Sequence, residues 1–400
     1  MVKKRPYLLK GDILHYDWGG NAFIPQLLNF HPQPLETYAE YWLGAHDAHP
    51  SLVHLEQEKG ILLNDLIKNY TVFQNEDYPV LPYLLKILDV KKMLSIQVHP
   101  NELQAKKGFQ QENQAGIPIQ SPVRTFKDPF PKPEMMVALS DFWLLHGFNK
   151  TEKIIHELQQ FQELNLVNNY LKENGLKKTF NWIMTTDQTQ IDGILSGLIT
   201  NIKNTSLVSK TKPAYWINRY LELTPDLITF DRGLINIFFM NIVNLPYKHA
   251  IFQDAGLIHA YLEGQNIELM TASDNVIRGG LTSKHIDIEK LLEMTNFKEI
   301  TPTILKPLAI SENVFDYNIP FHVAFRLHWI ENHSIHKNIR CVSQGREILC
   351  CIAAKHPISI QFNENEIIKL VKGQAVIIPQ YVPYNLIIEP DTILVKAFEY

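Results

Sequence analysis

A chain of 400 residues is too long for one ordinary hydrophobic core and predicts two or three cooperating units. Its residues are 45% hydrophobic and 20% charged, with a formal net charge of −4. This balance excludes a disordered chain and argues against a nucleic-acid partner. The cysteines Cys341, Cys350 and Cys351 lie close together in sequence, which argues against a disulfide framework and favours a reducing compartment.

No segment predicts secretion or a membrane span. Lys10 and Asp12 interrupt the N-terminal region before the apolar core of a signal peptide could form. The longest apolar stretch, Leu234–Leu245, contains three asparagines and is shorter than the roughly 20 residues that a spanning helix needs. We therefore expect a cytoplasmic protein with no membrane or nucleic-acid partner, and we expect it to be a monomer.

In chain order, the pattern predicts strands, then helices, then strands again. Residues 1–149 contain short apolar runs separated by Gly, Pro and His, which is typical of strands. Residues 150–243 are poor in Gly and Pro, and apolar residues recur near a period of 3.6, which predicts helices. Strand-like runs return in residues 244–300, and residues 301–400 predict a further β unit of antiparallel strands.

Within residues 244–300 we expect separate strands and one helix, and in the last hundred residues a series of alternating strands. The predicted strands of the first group are Ala250–Phe252, Ile258–Leu262 and Asn266–Met270, and the predicted helix is Ile288–Met294. The predicted strands of the second group are Ile358–Phe362, Ile367–Val371, Ala375–Ile378 and Ile393–Phe398. The prediction is a mainly β protein with an α-helical insertion.

The most informative segment runs from Leu94 to Pro100. On a strand, Ser95, Gln97 and His99 would share one face, opposite two apolar residues. Gln and His side chains inside a barrel can hold a divalent cation. Taken alone, such a pair is more often a hydrogen-bonded polar patch. Glu134, at the start of an apolar strand, and His259, inside another, could equally be a surface acid and a core histidine.

Seven segments, in order, resemble the type I mannose-6-phosphate isomerase family across nearly the full length. They are residues 16–20, 39–46, 81–86, 95–101, 132–135, 259–262 and 273–282. The resemblance implies two cupin-type jelly-roll β-barrels plus a helical domain. Residues 1–149 and 244–300 would form the catalytic cupin, 150–243 the helical domain, and 301–400 a cupin-like domain without metal.

The resemblance also implies one Zn²⁺ per chain, because four residues occupy the positions of the family's metal ligands. These residues are Gln97, His99, Glu134 and His259. Two imidazoles, a carboxylate and an amide oxygen would leave the ion able to take a water or substrate oxygen. A set of two histidines and one carboxylate could also hold Fe(II) or Mn(II), so ligand type alone leaves the metal open.

The implied reaction is an aldose–ketose isomerisation, the interconversion of mannose 6-phosphate and fructose 6-phosphate through a cis-enediolate. Its negative oxygen needs preorganised positive charge, and Arg278 matches the family's catalytic arginine. Lys132 precedes the Pro133-Glu134 pair and should reach the same pocket. Glu268, Asp274 and a metal-bound water remain open as the base.

The substrate would be a small sugar phosphate, bound by residues at the family's matching positions. Lys86, Ser95 and Lys284 could supply donors to the phosphate, and Trp18 and Tyr261 could line the sugar site. Lys86 lies between apolar neighbours, where a lysine without a function would be costly.

Two positions depart from the family pattern. Pro131 stands where a histidine is common, so any proton transfer by that histidine must be absent or taken over by Lys132, His99 or water. Ser283 replaces a proline, which affects loop stiffness more than chemistry. Two alternatives follow: a cupin non-haem iron oxygenase using the two histidines and Glu134, or a catalytically idle sugar-phosphate-binding protein.

Overall fold

The computed structural model describes residues 2–55, 60–204, 209–225, 229–320, 322–363 and 366–400. Its first part contains strands β1 Tyr7–Lys10, β2 Asp12–Leu14, β3 Glu40–Gly44, β4 Leu52–Val53, β5 Ile61–Leu62, β6 Tyr83–Val90, β7 Ile96–Val98, β8 Glu134–Ala138 and β9 Phe142–Phe148. Between them lie helices α1 Phe23–Leu28, α2 Leu63–Asn69 and α3 Glu102–Gln114.

The middle of the chain is helical and the remainder is mainly strand. The helices are α4 Thr151–Leu158, α5 Asn165–Thr185, α6 Gln188–Asn204, α7 Pro213–Leu223 and α8 Gly233–Asn236. Then follow β10 Met240–Leu245, β11 Ala250–Gln253, β12 His259–Thr271, β13 Ile277–Gly280 and α9 Ile288–Met294. The last strands are β14 Leu308–Ala309, β15 Val314–Asp316, β16 Phe325–Asn332, β17 Lys337–Val342, β18 Glu347–Ala353, β19 Ile358–Phe362, β20 Glu366–Leu370, β21 Ala375–Ile378, β22 Pro383–Ile388 and β23 Thr392–Glu399.

The protein is mainly β with a helical region, as the sequence predicts. In the described residues the strands form sheets of ten, nine and four strands. The ten-stranded sheet contains β2, β3 and β6 to β13, so it draws on both sides of the helical region. That sheet brings together chain segments that are more than a hundred residues apart.

Strand β12 is the centre of the ten-stranded sheet, and it corrects one sequence prediction. We predicted two separate strands here, whereas one strand runs from His259 to Thr271. Gly264 adopts φ +129 beside a register shift in the pairing with β9, so the strand can bend without ending. One half of β12 pairs with β7 and β9 and the other half with β6 and β8.

The helical region packs against the sheet through one shared hydrophobic core. Buried residues of its helices, such as Phe180 and Trp216, cluster with Ile96 and Val98 of β7. The predicted helical segment ended at Val243, but β10 begins at Met240, where the chain pairs with β9. Residues 205–208 and 226–228 of this segment lie outside the described residues.

The N-terminal strand belongs to the sheet built mainly from the last hundred residues. Strand β1 pairs antiparallel with β21, and β4 pairs with the other edge of β1. Sequence analysis had assigned all of residues 1–149 to the catalytic unit. An alternating pattern identifies a strand but not its partner, which explains the difference.

A buried ion pair ties the segment before β6 to the same part of the molecule. Arg346 Nε donates to Glu399 Oε1 at 2.6 Å, and both side chains are almost fully buried. Arg346 also donates to the carbonyl oxygens of Tyr78 and Val80, at 2.6 and 2.8 Å. Because the guanidinium is satisfied by the carboxylate and the carbonyls, its burial is tolerated.

Among the described helices, none has the length and apolar character to span a bilayer.

Candidate active site

Three side chains from three strands converge inside the ten-stranded sheet. His99 follows the end of β7, Glu134 begins β8 and His259 begins β12. His99 Nε2 lies 3.2 Å from Glu134 Oε1, and His259 Nε2 lies 3.3 Å from Glu134 Oε2. All three are buried, and one donor atom from each lies within 4.8 Å of the others. Two imidazole nitrogens and a carboxylate oxygen are a suitable donor set for Zn²⁺.

The outer nitrogen of each imidazole already has a partner. His99 Nδ1 lies 2.8 Å from the carbonyl oxygen of Asn275, and His259 Nδ1 lies 2.9 Å from that of Leu257. A carbonyl can only accept, so each Nδ1 carries the proton and each Nε2 presents a lone pair. Both Nε2 atoms and Glu134 Oε2 are buried without a hydrogen-bond partner among the described residues. Lone pairs directed at one another in this way suit a shared cation.

The protonation states of these groups agree with that arrangement. Burial lowers the pKa of His99 to about 4, so the imidazole is neutral at physiological pH. Burial would raise the pKa of Glu134, but Lys132 and His99 together hold it well below its usual range. Lys132 Nζ lies 3.0 Å from Glu134 Oε1. Neutral imidazoles and an ionised carboxylate are the forms that bind a metal.

Gln97 lies beside this group. In the sheet it is opposite His259 on β12 and opposite Arg278 on β13. Its side chain is half-buried and faces the cavity described below. The pairing therefore places Gln97 between His259 and Arg278 in the sheet.

A cavity of about 620 Å³ opens above the group. Every residue that the sequence predicted for catalysis, substrate binding or metal binding lines it, except His99 and His259, which lie buried at its base beside Glu134. These lining residues are Trp18, Lys86, Ser95, Gln97, Lys132, Glu134, Tyr261, Glu268, Asp274, Arg278 and Lys284. Sequence positions from 18 to 284 are thus brought to one site.

Two cations of the cavity wall have no direct ion-pair partner in the described part of the chain. The side chains of Arg278 and Lys284 make no ion pair or hydrogen bond with any other described residue. Burial lowers the pKa of Arg278. Burial, together with the charges of Arg278 and Lys127, lowers the pKa of Lys284. Cations held close together without counter-ions form a site for an anion such as phosphate.

The opposite wall carries a buried charge network. Lys86 Nζ lies 3.2 Å from Glu268 Oε2 and 3.6 Å from Glu40 Oε2, and 4.6 Å from the ring centre of Trp42. Burial would lower the pKa of Lys86, but Glu40 and Glu268 raise it. Burial and the charge of Glu134 raise the pKa of Glu268. The hydroxyl of Tyr261 donates to Glu268 Oε1 at 2.8 Å, so this carboxyl is both oriented and able to hold a proton.

Comparisons with known proteins identify the family. Residues 7–151 match the catalytic domain of type I phosphomannose isomerase. Mannose-6-phosphate isomerase of Salmonella typhimurium is 31% identical over 331 residues, which cover 80% of this chain and 83% of that protein. The chain belongs to the type I mannose-6-phosphate isomerase family.

Further members of the family match along most of the chain. The isomerase of Escherichia coli (strain K12) is 29% identical over 359 residues, covering 86% of this chain and 88% of that protein. A crystal structure of the Salmonella typhimurium isomerase, bound to its substrate F6P and to zinc, superimposes with a TM-score of 0.86 at 26% identity. That comparison covers 99% of this chain and all of the other.

Asp274, one of the two candidate bases, is held by contacts outside the cavity. Its carboxylate lies 3.2 Å from His46 Nε2, and its backbone N–H donates to Asp128 Oδ2 at 2.8 Å. Burial would raise the pKa of Asp274, but the hydrogen bond and charge of His46 lower it to about 2. His46 belongs to a segment that matches the isomerase family, although sequence analysis gave it no role.

Several other residues of the cavity were missed by sequence analysis. Glu40 and Trp42 lie within a family-like segment, which was a usable signal. Lys127 faces the cavity from a loop with no such signal. Tyr220 and Thr224 reach the cavity from α7 and the residue after it, so the helical region forms part of the wall. Only the packing of the helical region against the sheet reveals this contribution.

Proposed function

We propose that this chain interconverts mannose 6-phosphate and fructose 6-phosphate as a zinc-dependent aldose–ketose isomerase. The observation that carries the proposal is the convergence of His99, Glu134 and His259 below a cavity that also contains Arg278. Membership of the family supports the same activity. The substrate is therefore a small sugar phosphate.

The proposed metal ligands are Gln97, His99, Glu134 and His259, holding one Zn²⁺ per chain. The buried Nε2 and Oε2 atoms, which have no hydrogen-bond partner within the described ranges, fit a cation in this place. Gln97 is the fourth ligand because its strand pairing puts it next to His259. When bound, zinc supplies a Lewis-acid charge that polarises a substrate oxygen.

We assign the phosphate to the end of the cavity where Arg278, Lys284 and Lys127 meet, with Ser95 as a further donor. Arg278 also faces the reacting carbons, where its fixed charge stabilises the cis-enediolate oxygen. Because no carboxylate of the described residues pairs with it, the guanidinium is free for the substrate. Trp18 and Tyr261 line the sugar between its phosphate and its reacting carbons.

For proton transfer between the two carbons, Glu268 is the stronger of the two carboxylates among the three candidate bases. A general base works best when its pKa is near the working pH. The pKa of Glu268 is raised, whereas that of Asp274 is lowered to about 2 by His46. Glu268 thus moves the proton while Lys86 compensates its charge, and Asp274 is kept as the second candidate.

Ring opening does not need a histidine at position 131. Of the substitutes considered from sequence, His99 is unsuitable, because its Nδ1 is bonded to Asn275 and its Nε2 faces the other metal ligands. Lys132 lies in the cavity and is the proposed proton donor to the ring oxygen. The Pro131 substitution is therefore compatible with turnover.

We retain the finer architectural predictions as proposals. They are two jelly-roll barrels, with the catalytic one formed mainly by residues 1–149 and 244–300, a helical domain of residues 150–243, and a C-terminal unit of residues 301–400 that binds no metal. Strands β1 and β4 are assigned to the C-terminal barrel because they pair in its sheet. A monomeric state and a cytoplasmic location are also proposed.

A coupled assay tests the function directly. Purified protein is given mannose 6-phosphate, and fructose 6-phosphate formation is followed with and without a chelator, together with oxygen uptake. We expect product formation that stops on chelation and returns with Zn²⁺. Oxygen consumption would indicate the oxygenase alternative. Substrate binding without product would indicate an idle binding protein.

A further inference from the structure

The loop between Arg278, which lies on β13, and Lys284 is held from outside the sheet by residues just before and within helix α8. Asp231 Oδ2 accepts the backbone N–H of Thr282 at 2.8 Å, and Asp231 Oδ1 accepts that of Gly233 at 2.7 Å. One carboxylate thus joins the helical region to the loop between two cavity cations. Asn236, which is fully buried, adds a bond from its Nδ2 to the carbonyl oxygen of Gly279 at 3.2 Å.

The two backbones touch without intervening side chains. Gly280 has φ +133, and a Cβ built there would lie 2.5 Å from the Cα of Gly233. Only glycine at both positions permits such an approach. This contact between main-chain atoms fixes the distance between the loop and the first residue of α8.

The loop itself is in a conformation that needs support. Leu281 has φ 54, which is the left-handed region that a leucine rarely adopts. Such backbone strain persists where neighbouring contacts hold it in place. Leu281 lies between Gly280 and Thr282, the two positions that Gly233 and Asp231 contact.

We propose that Asp231 is a positioning residue, by which the helical region sets the placement of Arg278 and Lys284. The inference rests on the roles given to these two cations in the proposed function. The helical region contacts Gly279, Gly280 and Thr282, so it fixes the end of β13 from which the Arg278 side chain extends. The helical insertion then has a catalytic purpose, exerted through the loop rather than through contact with the reacting atoms.

The test compares Asp231→Asn with a matched control, Asp192→Asn. Asp192 lies on α6, and its Oδ1 accepts the N–H of Phe230 at 3.0 Å and a bond from Gln188 at 2.9 Å. It therefore supports the same segment that leads into α8 without touching the loop. Zinc content, melting temperature, kcat, KM and the calorimetric Kd for fructose 6-phosphate are measured for both.

We expect Asp231→Asn to lower kcat/KM roughly tenfold to hundredfold, the range that follows from a displacement of about 1 Å at a reacting centre. The Kd for fructose 6-phosphate should rise, while zinc content and melting temperature match those of Asp192→Asn. In an Arg278→Ala background, Asp231→Asn should cause no further loss of kcat, because both changes remove the same interaction.

Equal losses in the two variants, or a full additional loss of kcat in the Arg278→Ala background, would overturn the inference. The binding measurement separates this result from a failure of the proposed function. If the wild-type chain does not isomerise, a Kd that is weakened by Asp231→Asn but not by Asp192→Asn still supports positioning by Asp231. An unchanged Kd in Asp231→Asn would refute it.

Discussion

Two fully buried asparagines give a matched test of how the metal ligands are supported. Asn275 Oδ1 accepts the N–H of Lys127 at 2.8 Å, and its Nδ2 donates to the carbonyl oxygens of Asp128 and Phe130 at 2.8 and 2.9 Å. Asn266, also fully buried, has no side-chain hydrogen bond to any described residue. Replacing each by alanine removes the same atoms from very different surroundings.

The expected loss of folding stability differs between the two variants because only Asn275→Ala leaves hydrogen-bonding partners unpaired. Asn275→Ala breaks three short hydrogen bonds, each contributing about 1 kcal/mol net, and leaves part-buried backbone groups unpaired at about 1 kcal/mol more. A total of about 4 kcal/mol is a large effect for a point mutant. Asn266→Ala should cost about 1–2 kcal/mol, since it removes packing but no hydrogen bond.

Asn275→Ala should also weaken zinc binding. The carbonyl of the same residue fixes His99 through Nδ1. Alanine keeps this carbonyl but loses the side-chain bonds that hold it in place, and disturbed support of a metal-binding histidine typically lowers metal affinity about 10- to 100-fold. Thermal melting ranks the stabilities, and chelator competition measures the zinc affinity. The reasoning is refuted if the two variants have the same melting temperature, or if Asn275→Ala keeps the wild-type zinc affinity.

Three further changes separate the proposed roles. Arg278→Ala should lower kcat about 10²–10³-fold, as for the loss of one oxyanion donor, while the zinc content stays near one ion per chain. Loss of the metal together with activity would assign Arg278 a structural role. His259→Ala should release zinc and lower the melting temperature, because ligand loss is coupled to folding; retained metal and turnover, measured together, would contradict the ligand assignment. Glu268→Gln keeps an acceptor for Tyr261 but removes the charge, so kcat should fall about 10²–10⁴-fold without loss of zinc. If Glu268→Gln turned over near the wild-type rate and Asp274→Asn were inactive, the role of general base would belong to Asp274.

Local sequence patterns predicted the elements well but not their partners. The helix Ile288–Met294 and the strand Ile358–Phe362 have the bounds that periodicity indicated. The continuity of β12 was missed because a glycine that bends a strand looks the same in sequence as one that ends it. The pairing of β1 with β21 was also missed, since no local pattern records a partner more than 360 residues away.

The candidate site shows the same limit. By residue type alone, His259 was as plausible a core histidine as a ligand, and only the arrangement around Glu134 distinguishes the two. Family resemblance named cavity residues such as Lys86, Lys132 and Arg278, which lie within matching segments, but gave no role to Glu40 and Trp42, which do so too. Lys127, Tyr220 and Asp231 lie outside them, and their contributions depend on how the loops and the helical region meet the sheet.

The pairing of β1 with β21 has a consequence for synthesis on the ribosome. Residues 7–10 emerge long before their partner strand, which follows only at residues 375–378. One edge of the nascent strand therefore stays open until that partner is synthesised, which is the condition in which edge strands attract chaperones or other chains. A truncated product that stops before residue 375 would keep that edge open permanently, so incomplete chains should be insoluble even when they contain every residue of the proposed active site.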